Sequence, residues 1–84
     1  MSFFVYILRS ERSGRFYIGH TENIEKRLLE HNTGRVAATR SKGPWELVYS
    51  QSFATRSEAA RRETQVKQMK SRIWIERLVA RASR

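Results

Sequence analysis

A chain of 84 residues without a single cysteine can bury one modest core, and it has no disulfide, thiol nucleophile or cysteine-ligated zinc. Its 17 Lys and Arg against 8 Asp and Glu leave a formal net charge of +9, which favours a polyanionic partner, nucleic acid before an anionic membrane. The apolar run at residues 3–8 is too short to span a bilayer and lacks the basic flank of a signal peptide, so a cytoplasmic protein of one domain, residues 1–84, is expected.

The charge is uneven: residues 1–55 carry net +3 and residues 56–84 net +6. Residues 3–9, FFVYILR, are aromatic and β-branched, with apolar side chains at both alternating sets of positions. A strand apolar on both sides is central in its sheet. Ser10 to Gly14 reads as a hairpin loop, and a second strand runs over residues 15–20. Pairing Arg9 with Gly14 places Tyr6 opposite Tyr17 and Phe4 opposite Gly19, with both phenols on one face. A cross-strand tyrosine pair is also ordinary sheet packing.

Thr21 is the expected N-cap of the first helix, with Glu22 in its first turn. Ile24, Leu28 and Leu29 form its apolar face, and Gly34 follows its end near Asn32. Arg27 and His31 are four apart and so share a helix face. Each alone is a common surface residue. Behind a tyrosine they bring a cation, an acid-base group and a phenol together, which suits a phosphodiester. Residues 35–43 form a basic loop, and residues 45–53 a third strand with Trp45, Leu47, Tyr49 and Phe53 on one buried face.

Thr55 and Glu58 have the spacing of a capping box, opening a helix to about Lys70. Glu63 falls on the same side as Ala59 and Val66, where an acid needs a salt bridge, a hydrogen bond or a metal ion. On pattern alone, a salt bridge is the leading reading. A third helix covers residues 71–84, with Ile73, Trp74, Leu78 and Val79 buried and Arg72, Arg77, Arg81 and Arg84 as candidate backbone contacts.

Two tyrosine triplets, Phe4-Val5-Tyr6 and Tyr17-Ile18-Gly19, followed by Arg27, His31 and Glu63, resemble the GIY-YIG nuclease superfamily from about residue 3 to about residue 78. The likeness is to its small stand-alone bacterial members, similar to the nuclease module of the bacterial repair excinuclease. The second triplet matches letter for letter, while Phe4 stands where the family has glycine. An asparagine that many relatives carry after the glutamate helix is absent. The resemblance implies an α+β fold, a three-stranded antiparallel sheet flanked by about three helices. It also implies a DNA endonuclease using one Mg²⁺ or Mn²⁺ ion at Glu63, whose shell the substrate phosphate and waters complete so that the ion can be bound only with substrate, with no organic cofactor, no membrane partner and a role in DNA repair or recombination.

By the same resemblance Tyr6 is the first choice of base, with Tyr17 the alternative or its orienting partner. Arg27 clamps the phosphate and, together with a bound metal, lowers the phenol pKa from its usual value of about 10, and His31 hydrogen-bonds the tyrosine or relays its proton. Asn32, beside His31, is expected in substrate contact or helix capping, and Arg35, Arg40, Lys42, Lys67, Lys70 and Arg72 are the candidate nucleic-acid contacts. Loosely specific or structure-selective cutting of branched, nicked or single-stranded DNA follows. Two competing readings are a non-catalytic nucleic-acid-binding module, DNA or RNA, and a small RNA- or ribosome-associated factor.

Overall fold

A computed structural model describes residues 2–82, so Arg84 lies outside the described residues. Three antiparallel strands, β1 (Phe3–Ser10), β2 (Phe16–Thr21) and β3 (Trp45–Phe53), form one sheet in the order β2-β1-β3. Helix α1 (Ile24–Asn32) follows β2, a single 3-10 turn at Ala37–Thr39 precedes β3, and α2 (Arg56–Met69) and α3 (Arg72–Ala82) end the described chain. The fold is α+β, as expected.

β1 is central because both of its faces are apolar, and Val5, Tyr6, Ile7 and Leu8 are all buried. Tyr6 and Leu8 pack with Trp45, Tyr17 and the α1 residue Leu28. Ile7 packs on the opposite face with Val66 of α2, Ile75 of α3 and Ile18 of β2. Helices therefore cover both faces, α1 on the Tyr6 side and α2 with α3 on the Ile7 side.

The hairpin register differs from the expected one by two residues. Arg9 pairs with Phe16, Leu8 with Tyr17 and Tyr6 with Gly19. The turn is longer because the Ser10 hydroxyl accepts the amides of Arg12 and Ser13, while Gly14 takes a left-handed φ of 75°. A shift of two preserves the side-chain parity. Both phenols thus still share a face, now as diagonal rather than direct neighbours.

Thr21 belongs to β2, not to the helix. Asn23 is the N-cap, its side chain accepting from the Lys26 amide, and Glu25 is the acid of the first turn. Leu29 is 63% exposed. The buried stripe of α1 runs instead through Leu28 and His31, three residues apart on one face. In β3 a register irregularity leaves Val48 without a counterpart, because Ile7 pairs with Tyr49 and Leu8 with Leu47. Trp45 consequently faces the Tyr6 cluster while Val48 and Tyr49 face the α2 side. The single buried face expected for β3 is replaced by two.

The capping box of α2 forms in full, with Thr55 and Glu58 satisfying each other's backbone donors. In α3 the buried position is Ile75, with Leu78 and Val79 packed beside it, while Ile73 is 62% exposed. Ile75, Leu78 and Val79 follow the i, i+3, i+4 spacing of one helix face, which Ile73 does not share.

Candidate active site

Gly19 is what lets Tyr6 lie where it does. A Cβ built on Gly19 would meet the Tyr6 hydroxyl at 2.5 Å and its Cζ at 2.7 Å. The phenol therefore crosses directly over the backbone of β2, which only a residue without a side chain permits. Its hydroxyl lies 2.9 Å from Nε2 of His31 and accepts a 3.4 Å contact from Nε of Arg27.

His31 is 2% exposed, far from the surface residue that a polar helix position suggests. Its Nδ1 lies 2.8 Å from the Thr39 hydroxyl, which reaches the Val36 carbonyl at 3.4 Å. If Thr39 donates to that carbonyl, it accepts from Nδ1–H, and Nε2 is left to accept the Tyr6 proton. Burial, aided by the Arg27 charge, pushes His31 down to about 4, so the ring is neutral at pH 7. Burial also pushes the Tyr6 phenol up. The Arg27 hydrogen bond and charge offset only part of that, so Arg27 by itself does not bring the lowering expected of Arg27 and a bound metal together. Arg27 is restrained by Glu30 at 3.2 Å.

Tyr17 packs against its neighbours rather than bonding to them. Its ring centroid is 4.8 Å from that of His31, 6.5 Å from Tyr6 and 6.4 Å from Trp45. Its hydroxyl has no hydrogen-bonding partner among the described residues.

Glu63 comes from α2, on the other face of the sheet, and meets β2 at its outer edge. Oε1 lies 2.5 Å from Nδ1 of His20, and Oε2 lies 2.5 Å from the Lys67 ammonium. Burial alone would raise this carboxyl, but the bonds from Lys67 and His20 outweigh it and the net shift is downward. The carboxylate is close enough to add to the upward push on Tyr6. A cleft of about 340 Å³ opens beside His20 and Arg27, lined also by Thr21, Glu22, Asn23, Lys26, Glu30 and Arg56, while Tyr6, His31 and Glu63 do not line it. Tyr6, Arg27 and His31 are thus joined directly, and Glu63 approaches from across the strand edge.

The remaining candidates are dispersed. Both polar atoms of the Asn32 side chain bind the backbone of Trp45, which ties the end of α1 to the start of β3. Arg40 donates to the Gly34 carbonyl, Arg72 pairs with Glu76 and stacks over Phe16, and Lys67 is held by Glu63. Arg35 and Lys42 are exposed, and Lys70 forms the left-handed C-cap of α2. His20 carried no signal in the sequence beyond its place after Gly19. Its partner is forty-three residues away, and only the pairing of β2 with α2 joins them.

The depressed His31 value has a measurable consequence for stability. The unfolded chain takes up this proton near about 6.5 and the folded chain only near about 4. Stability is therefore intact above about pH 6.5 and is lost as pH falls toward about 4. Urea unfolding at pH 7.5 and 4.5 should show a loss of about 2 to 3 kcal/mol from this group. The same comparison in His31→Gln should lack that share of the loss, while the share from Glu63 persists.

Comparison with known proteins agrees with this architecture. The family model described as the GIY-YIG catalytic domain matches residues 2–76. UPF0213 protein OB0043 of Oceanobacillus iheyensis is 45% identical over 79% of this chain and 77% of its own. UPF0213 protein NP_0776A of Natronomonas pharaonis is 42% identical over 92% of this chain and 89% of its own. The solution NMR structure of UPF0213 protein BH0048 from Bacillus halodurans has a TM-score of 0.59 and 37% identity, over 95% of this chain and 84% of that one. With a tyrosine laid across the glycine of its second triplet and a family match over nearly its whole length, the chain belongs to the GIY-YIG nuclease superfamily.

Proposed function

We propose that this protein is a divalent-metal-dependent endonuclease that hydrolyses phosphodiester bonds in DNA, with structure selectivity or loose sequence specificity, in repair or recombination. The observation that carries this reading is the Tyr6 hydroxyl held between the neutral His31 ring and the Arg27 guanidinium. A residue used only for packing has no need of that arrangement.

GIY-YIG nucleases generally use divalent metals, and the donor chemistry at Glu63 fits one. Its carboxyl is held in the anionic form, and its two oxygens already contact a cation, the Lys67 ammonium, and a ring nitrogen of His20. Glu63 would hold the ion, which when bound neutralises charge on the scissile phosphate and on the departing 3′ oxygen. Arg27 binds and orients the phosphate from the cleft. Tyr6 takes the proton of the attacking water at its oxygen as its own proton passes to Nε2 of His31. The coupled transfer avoids a free phenolate, which burial disfavours here, and because burial and Arg27 also disfavour the imidazolium, His31 holds that proton only in passing. The exposed cations Arg35, Lys42 and Lys70 add sequence-independent contacts to the nucleic-acid backbone.

The test is incubation with labelled branched, nicked, single-stranded and duplex DNA, with and without Mg²⁺ or Mn²⁺, beside Glu63→Gln. Products that require both the added ion and Glu63 are expected. The Lys67 contact on Glu63 favours one second reading, a basic binding module that does not cut. DNA bound at low salt without metal-dependent nicking would select it.

A further inference from the structure

His20 is a titratable side chain at the cleft that the reaction above leaves without a task. It stands opposite Val5 in β2, hence on the α2 side of the sheet, one residue from the glycine under Tyr6. It lines the same cleft as Arg27. The side chains of His20 and Glu63 are only 27% and 17% exposed, whereas that of Lys67 is 52% exposed.

Nitrogen and oxygen ligands bind a divalent ion at about 2.0–2.2 Å each. Two such atoms on one ion stand about 3 Å apart, so the 2.5 Å between Nδ1 and Oε1 has to open by only about half an ångström to admit one between them. Lys67 is the group free to leave, since its flexible stem is on the solvent side of the carboxylate. His31 offers no comparable donor, because both of its ring nitrogens are engaged, with Tyr6 and Thr39.

We propose that His20 and Glu63 together form the cation site, with Lys67 supplying the positive charge there until an ion displaces it. An imidazole ligand disfavours Mg²⁺, which prefers an all-oxygen shell, and favours a borderline transition ion, Mn²⁺ before Mg²⁺. This inference rests on the reading of Glu63 as a metal-binding residue.

The decisive measurement is pulsed electron paramagnetic resonance of the untagged protein with Mn²⁺ alone. Wild type should show the hyperfine coupling of a directly bound nitrogen. His20→Gln can still hydrogen-bond Glu63 but has no ring nitrogen, so it should lose that coupling and bind Mn²⁺ about tenfold more weakly. Its Mg²⁺ affinity should change by less than about twofold. Lys67→Met should bind Mn²⁺ more tightly.

Coupling that persists in His20→Gln, no coupling in wild type, or no Mn²⁺ bound by wild type would each overturn the two-ligand site. Unchanged Mn²⁺ affinity in Lys67→Met would overturn the part given to Lys67. Loss of Mn²⁺ in Glu63→Gln, with His20→Gln behaving as wild type, removes this inference alone. Mn²⁺ bound equally well by Glu63→Gln removes the Glu63 reading and this one with it.

Discussion

Tyr6→Phe is expected to slow DNA cleavage by about 10²–10⁴-fold while leaving DNA affinity close to that of the unaltered chain. The substitution removes one oxygen and keeps the ring that fills the core with Leu8 and Trp45. That oxygen contacts both Nε2 of His31 and Nε of Arg27. Its loss also leaves Nε2 of a buried ring without a donor, which costs about 1 kcal/mol of stability. Circular dichroism and a urea curve separate that cost from the catalytic effect. Cleavage at the wild-type rate in Tyr6→Phe would move the base to Tyr17, whose phenol the fold uses for ring packing.

Gly19→Ala should be nearly as damaging, although it removes no functional group. The new methyl would fall 2.5 Å from the Tyr6 hydroxyl and 2.7 Å from Cζ, so either the phenol swings away or β2 moves off β1. Overpacking of this kind costs about 1–3 kcal/mol. A displacement of about 1 Å at the phenol should lower cleavage about a hundredfold. The double variant with Tyr6→Phe identifies the cause. Because the hydroxyl is the nearest atom, the stability loss from Gly19→Ala should be smaller in the Tyr6→Phe background. An equal loss in both backgrounds would place the strain on the ring carbons, which Tyr6→Phe keeps, rather than on the hydroxyl.

The fold was readable wherever a signal is local. The apolar faces of β1, the Thr55 and Glu58 capping box and the start of β3 after Pro44 are each written in fewer than ten residues. Features set by a side chain acting on a neighbouring backbone were not readable. The Ser10 hydroxyl lengthened the hairpin, Asn23 displaced Thr21 as N-cap, and the irregularity at Val48 divided β3 between two cores. Burial of His31 follows from its place three residues after Leu28, yet a histidine at a core position carries no mark of polarity or period. The His20 and Glu63 contact depends on which helix covers which face, information that no stretch of chain holds by itself.

The site draws Tyr6 from the central strand, His20 from an edge strand, Arg27 and His31 from one helix and Glu63 from another on the opposite side of the sheet. During synthesis the first four of these leave the ribosome well before the acid does. On the proposed reading, a nascent chain halted between α1 and α2 holds Tyr6, His20, Arg27 and His31 but lacks Glu63, the residue that would hold the ion. On that reading cutting power arrives in one step, as the helix bearing Glu63 docks.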